Sequence, residues 1–380
     1  MTATPRRICY VSGTRADFGL MESTLRQIAS HEALTLDIVV TGMHLMPEYG
    51  DTWREIEASG LPVSRRVPVP EHSSTGAAMA RNIGVMIGAF VYAFEELRPD
   101  VVLLLGDRGE MLAGALAAIH LNIVVAHIHG GERSGTVDEP VRHAISKLAH
   151  LHFAASEDAR DRLVGMGEQP GRILVSGAPG IDGLVELASF SRETLCRDAG
   201  FDAARPVALF VFHPVLQEAE AAQEQAMMLI DVLRAARMQV LALMPNSDAG
   251  SAGVRAVLNA VQDEPDIHVV QHLPRARFVS WMAVCDVMVG NSSSGIIEAG
   301  SFGTPVINVG VRQNMRQRNF NVVDVPAVRE QVDPSLRAAL IRGRFPAHNC
   351  YGDGHAAERI VQRLANVALE PDLLLKCNAY

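Results

Sequence analysis

The sequence predicts an α/β protein of two doubly wound domains, each built on a parallel sheet. Apolar runs of strand length alternate with longer segments whose apolar residues recur at helical spacing, the pattern of repeated strand-helix-strand units. The chain has 380 residues, 48% of them apolar, and single cores stop growing beyond about 250 to 300 residues. Between residues 178 and 183 the segment APGIDG breaks the pattern with proline and glycine, and a second series of strands follows it.

In chain order, the first series gives strands at RRICYVSG (6–13), LTLDIVVTG (34–42), VVLLLGD (101–107), IVVAHIHGG (123–131), LHFAAS (151–156) and ILVSG (173–177). Helices fill the gaps, among them a long apolar one over 74–98 and one that contains VRHAISKL. The second series is PVALFVFHP (206–214), QVLALMPN (239–246), IHVVQHL (267–273), VMVGNSS (287–293) and TPVINVG (304–310). The expected division is 1–180, 181–358 and a C-terminal helical segment 359–380, the helical pattern itself running over about 354–370.

Composition bounds the partners. A formal charge of −9 and the lack of a long basic block argue against nucleic acid. Five cysteines stand singly, without metal-ligand or disulfide spacing, as suits a reducing compartment. MTATPRR runs straight into a strand, and no apolar run reaches the roughly 20 residues of a membrane span. A soluble cytoplasmic protein with a small-molecule partner is expected.

Ligands of doubly wound sheets bind outside the carboxyl ends of the strands. Five strand ends are loaded: Arg15 after the first, Asp107 after VVLLLG, His127, His129 and Glu132 around HIHGGE, His213 before Pro214, and Asn291 with serines 292–294. Asp107 reads equally well as the cap of the next helix, and His127 as a satisfied core side chain. Asp138 and Glu139 suit the start of a helix, where carboxylates complement the dipole. Glu132 follows two glycines, where the backbone can turn sharply and expose a carboxylate to a cleft. GNSSSG offers hydroxyls and free backbone N–H groups to an anion, or plain capping by Ser292 or Ser293. Neither a Walker lysine pattern nor a G-x-G-x-x-G fingerprint is present.

Taken together, GTRAD near the start, VVTGMH (39–44), LLGDRGEMLA (104–113), HIHGGERSGTVDEPVRHAISKLAH (127–150), the HP at 213–214 and GNSSSGIIEAGSFGTPVINVG (290–310) resemble the UDP-N-acetylglucosamine 2-epimerase family. The likeness is collinear over most of the chain and is strongest to the hydrolysing branch that feeds sialic and legionaminic acid synthesis. It implies a glycosyltransferase-B-type fold, two Rossmann-like domains facing a cleft, with the last helix crossing back to the first. It also implies roles: Arg15 and His213 on the diphosphate or the reacting sugar, Ser292 and Ser293 on the diphosphate, and Glu298 on the ribose. Asp107, Glu132 and Asp138 match the acidic trio, and Arg142 and His143 the Arg-His pair after it. Asp138 is preferred to Glu139 by counting back from Arg142, and Arg312 to Arg316 as the phosphate contact.

The expected chemistry explains the convergence. Inverting C2 without a nicotinamide requires elimination: UDP leaves C1 as C2 loses its proton, and the glycal is then hydrated. Cations and dipoles must meet the departing diphosphate, two proton carriers must serve C2, and a third carboxylate can stabilise charge at C1. Crowded carboxylates are expected to push one another's pKa values apart. No cofactor and no metal are expected, and the family suggests a homo-oligomer. A non-hydrolysing epimerase, or a glycosyltransferase or sugar-nucleotide binder of the same fold, remain as alternatives. The sugar is UDP-N-acetylglucosamine or, preferred, UDP-N,N'-diacetylbacillosamine, with Met43, His44 and the loop 71–76 as candidate readers of C4 and C6.

Overall fold

The computed structural model describes residues 4–73 and 75–380. Seven parallel strands form the first sheet: β1 (Arg6–Ser12), β2 (Leu34–Thr41), β3 (Val63–Val67), β4 (Val101–Leu105), β5 (Val124–Ile128), β6 (Leu151–Ala154) and β7 (Ile173–Val175), in the order β3-β2-β1-β4-β5-β6-β7. The second has six: β8 (Val207–Val211), β9 (Gln239–Leu243), β10 (Ile267–Val270), β11 (Val287–Gly290), β12 (Val306–Val309) and β13 (Val322–Val325), in the order β10-β9-β8-β11-β12-β13. Strand order reverses between β1 and β4 and between β8 and β11, so each sheet opens a crevice at the carboxyl end of those pairs.

Two strands lie outside the sequence expectation, β3 and β13. Both are edge strands, and VSRRV carries two arginines with the burial pattern half-buried, half-buried, exposed, exposed, buried. A charged edge discourages pairing with another chain, but it hides the strand from an apolar-run search.

The helix Gly76–Leu97 corrects a second expectation, because by length and composition alone it could cross a membrane. Its glycines, alanines and polar Arg81 and Asn82 interrupt any simple apolar run. One face, through Met86, Phe90, Ala93, Phe94 and Leu97, packs into the core beneath the first sheet. Val85 and Tyr92 on the other face are 44% and 76% exposed.

The chain passes between the sheets twice. After β7 it runs through residues 176–183, and it returns through 350–356 into the helix Ala356–Asn366. The two passages lie side by side: Ala178 N–H donates to Tyr351 O at 2.8 Å, and Asp182 accepts from the N–H groups of Ala356 and Ala357 at 3.0 and 2.5 Å, capping the returning helix. Ile360, Val361 and Leu364 of that helix pack with Ile8, Met21 and Leu25 in the core on one face of the first sheet.

Candidate active site

The first wall of the cleft is built at the ends of β4 and β5. Gly131 has φ +79°, and a Cβ there would collide with the carbonyl oxygen of Ala159, so only glycine allows the turn that brings Glu132 inward. Glu132 is 5% exposed, with one carboxylate oxygen on His129 Nδ1 and the other on the Arg316 guanidinium. Arg316 comes from the second domain and also lies 3.7 Å from Asp107 Oδ2. Arg142, fully buried on the helix Asp138–Leu148, pairs with Asp107 through Nη2 and donates from Nη1 to Glu132 O at 3.2 Å and Ser134 Oγ at 3.3 Å. Burial pulls its pKa down to about 9, which leaves it charged near neutrality.

This arrangement differs from the crowded carboxylates expected from sequence. The guanidiniums of Arg142 and Arg316 stand between Asp107 and Glu132, so each carboxylate faces a cation rather than the other carboxylate. His129 is pushed down to about 3 by burial and by Arg316, and it faces Glu132 as a neutral donor.

Asp138 and Glu139 separate by what they touch. Glu139 accepts from the backbone N–H groups of Ser134 and Gly135 at 2.9 and 2.8 Å and lies 3.7 Å from His143 Nε2; burial opposes its charge, but those two N–H groups prevail and its pKa is lowered. It holds its own loop together. Asp138 instead borders a pocket shared with Pro214, Asp248 and Arg312. His143 is part-exposed and its pKa is lowered by burial and by Arg142.

The second wall lies at the ends of β8, β11 and β12. Asn291 clasps the β8 end: its Oδ1 accepts from His213 N at 2.7 Å and its Nδ2 donates to His213 O at 2.8 Å. His213 Nδ1 accepts from Asn246 N–H at 3.3 Å. Its pKa falls to about 3, by burial and then by Arg312, so the ring is neutral and Nε2 carries the remaining proton as a donor. Arg312 donates from Nη1 to Asn291 O at 3.1 Å, which anchors it on this wall, whereas Arg316 reaches across to the carboxylates.

Ser292 is the N-cap of a helix of only five residues, Ser293–Ile297, accepting from Ser294 N–H at 3.3 Å. After it, Glu298 intervenes before a 3₁₀ turn at Ala299–Phe302. Glu298 itself is nearly fully buried and ion-paired with Arg275, whose Nη2 also donates to Gly180 O at 2.9 Å at the first passage between domains. Arg15 turns to Glu55, with Nε to Oε2 at 2.6 Å, and Glu55 lies 3.8 Å from His272 of the second domain.

The readings of His127 and His44 resolve toward the core. His127 is fully buried and engaged at both ring nitrogens, by Gly106 O at 2.7 Å and Ser146 Oγ at 3.1 Å. His44 is fully buried, with its two ring nitrogens engaged by Ser12 Oγ at 2.9 Å and Thr52 Oγ1 at 2.8 Å, and burial takes its pKa to about 4. Met43 packs against the core beneath the first sheet. Of the loop 71–76, Glu71 is tied to Arg81 and Asn82, and Ser74 lies outside the described residues.

The family model described as UDP-N-acetylglucosamine 2-epimerase matches residues 26–365. The chain belongs to that family. A UDP-N,N'-diacetylbacillosamine 2-epimerase (hydrolyzing) of Legionella pneumophila is 47% identical over 375 residues, covering 99% of this chain and all of that protein. A UDP-N-acetylglucosamine 2-epimerase of Neisseria meningitidis is 32% identical, covering 97% and 96%. The crystal structure of a UDP-GlcNAc 2-epimerase from Neisseria meningitidis superposes with a TM-score of 0.79 at 19% identity, covering 94% of this chain and 99% of that one, which shows the shared glycosyltransferase-B-type fold.

Against that 2-epimerase family background, the cleft holds residues that sequence reading passed over. Arg108, next to Asp107, reaches Asp248 Oδ1 at 3.4 Å across the cleft. Asn246 and Asp248 follow β9, and the same strand-end rule reaches them. Arg316 pairs with two carboxylates of the other domain, a contact that depends on how the domains meet.

Proposed function

We propose that this protein is a hydrolysing UDP-sugar 2-epimerase that takes UDP-N,N'-diacetylbacillosamine to UDP and the free manno-configured sugar. The carrying observation is the meeting, across one cleft, of ion-paired Asp107 and Glu132 with the His213 and Arg312 wall. Full-length similarity at 47% identity to a hydrolysing diacetylbacillosamine enzyme supports the choice of sugar. UDP-N-acetylglucosamine is the second reading, because a relative of that name is 32% identical.

In this reading a carboxylate of the first wall takes the C2 proton, the C2–H electrons form the C1=C2 bond, and the C1–O electrons leave with UDP. His213 Nε2–H, Arg312 and the Ser292 and Ser293 hydroxyls meet the developing diphosphate charge. Glu298 and Arg15 hold the nucleotide and sugar once their present partners give way. Water then adds at C1 as C2 regains a proton on the other face, using Asp138 or Glu132 as acid. The Arg142 and His143 pair fixes the acidic wall. The product would feed nonulosonic acid synthesis of the legionaminic or sialic type, and the enzyme would work in the cytoplasm.

Run in deuterium oxide, the reaction is expected to yield a free manno sugar with deuterium at C2, and in ¹⁸O-water a UDP without label. A UDP-linked product would mean the non-hydrolysing reaction, and a gluco product without C2 deuterium would mean plain hydrolysis. Side-by-side assays of the two sugars should favour the diacetamido one; comparable kcat/KM on both would remove that preference.

A homo-oligomer, dimer or tetramer, is also proposed. The exposed face of Gly76–Leu97 places Val85 and Tyr92 among Gly84 and Gly88, which have open space above them, and an apolar face of this kind calls for cover. Light scattering at micromolar protein should give a multiple of 41.0 kDa; a monomer mass would overturn the proposal.

A further inference from the structure

Hydration of a glycal needs a water at C1 after UDP has gone, and a group to take that water's proton. Asp107 and Glu132, paired with Arg142 and Arg316, stand on the first wall and serve C2 in the reading above. Asp248 stands on the opposite side. Its Oδ2 accepts from Asn246 Nδ2 at 2.5 Å, its backbone N–H donates to Asn246 Oδ1 at 3.2 Å, and its Oδ1 lies 3.4 Å from Arg108 Nη2. It borders the pocket that also touches Asp138, Pro214 and Arg312, and its side chain is 17% exposed, so solvent reaches it. Desolvation favours its neutral form, yet Arg108 and Arg312 outweigh that and keep its pKa below the usual aspartate value. Binding a diphosphate gives no reason for this carboxylate, since an anion placed among the cations weakens their hold on another anion.

We propose that Asp248 is the base of the hydration half-reaction, orienting the water that adds to C1 and accepting its proton. The assignment rests on the hydrolysing reading above. Once UDP departs, water enters the space it leaves beside His213 and Arg312, the side on which Asp248 stands. The water oxygen bonds to C1, the C1=C2 electron pair takes a proton at C2 from the acid of the first wall, and the water proton passes to the Asp248 carboxylate. Exchange with solvent then restores both groups.

The test separates the two halves of the reaction. Elimination is followed by UDP release and C2 deuterium exchange from the UDP-sugar, and hydration by supplying the corresponding 2-acetamido glycal without UDP. Asp248→Asn should slow hydration about 100-fold, the low end of general-base contributions, while elimination falls much less, so that free glycal accumulates. Asp248→Glu should recover part of the hydration rate, and it decides the matter if the Asn variant does not fold. Equal losses in the two halves, or unchanged hydration, would overturn the assignment. A wild-type enzyme that forms neither free sugar nor C2-deuterated product would sink the hydrolysing reading first, and the role of Asp248 with it.

Discussion

Glu132→Gln is expected to lower turnover by about two orders of magnitude or more, within the 10² to 10⁴ range typical of general acid-base groups. Glutamine keeps the volume and can still accept a hydrogen bond from His129, but it cannot carry a proton between C2 and solvent. It also removes the charge that Arg316 meets across the cleft, so Asp107 becomes the only carboxylate of the pair that can answer that guanidinium. UDP affinity should change little, because His213, Arg312 and the serines stand on the other wall. Initial rates of UDP release, with UDP binding measured by calorimetry, check both statements. Near-normal turnover in a folded variant would take Glu132 out of the mechanism.

Arg142→Met should cost stability as well as activity. The side chain is completely buried and pairs with Asp107 while holding Glu132 O and Ser134 Oγ. Methionine fills much of the volume but leaves Asp107 with only Arg316, 3.7 Å away, and breaking a buried pair from one side costs about 3 to 5 kcal/mol. Denaturant unfolding reads this directly. Adding Asp107→Asn should restore part of the stability by removing the stranded charge, while turnover stays low. If the double variant were no more stable than Arg142→Met, the pair would not be the source of the loss.

Much of this was legible in the sequence because the chemistry sits at strand ends. VVLLLGD, IVVAHIHGGE and PVALFVFHP announce both the strand and the residue it delivers, so Asp107, Glu132 and His213 could be found without a structure. What escaped depends on three-dimensional meeting. Glu298 and Arg275 are 23 residues apart and pair at the passage between domains, and Arg316 reaches carboxylates about two hundred positions earlier in the chain. The edge strands β3 and β13 escaped for a different reason: half-exposed strands with charged residues lack the apolar run that marks the interior ones. Arg142 shows the limit from the other side: the family resemblance singles it out, but nothing in VRHAISKL shows that its side chain is fully buried and pairs with Asp107.

The paired passages between the sheets also set how the two halves can move. Had the chain crossed once, the domains could swivel freely about a single tether. Here two crossings are laced together by Ala178 with Tyr351 and by Asp182 with Ala356 and Ala357, so neither can bend without carrying the other. Sliding or twisting would have to shear that lacing, while swinging about a line along it leaves it intact. Opening along that line would part Arg316 from Asp107 and Glu132 and Arg108 from Asp248 together, so that one motion would govern both entry and escape.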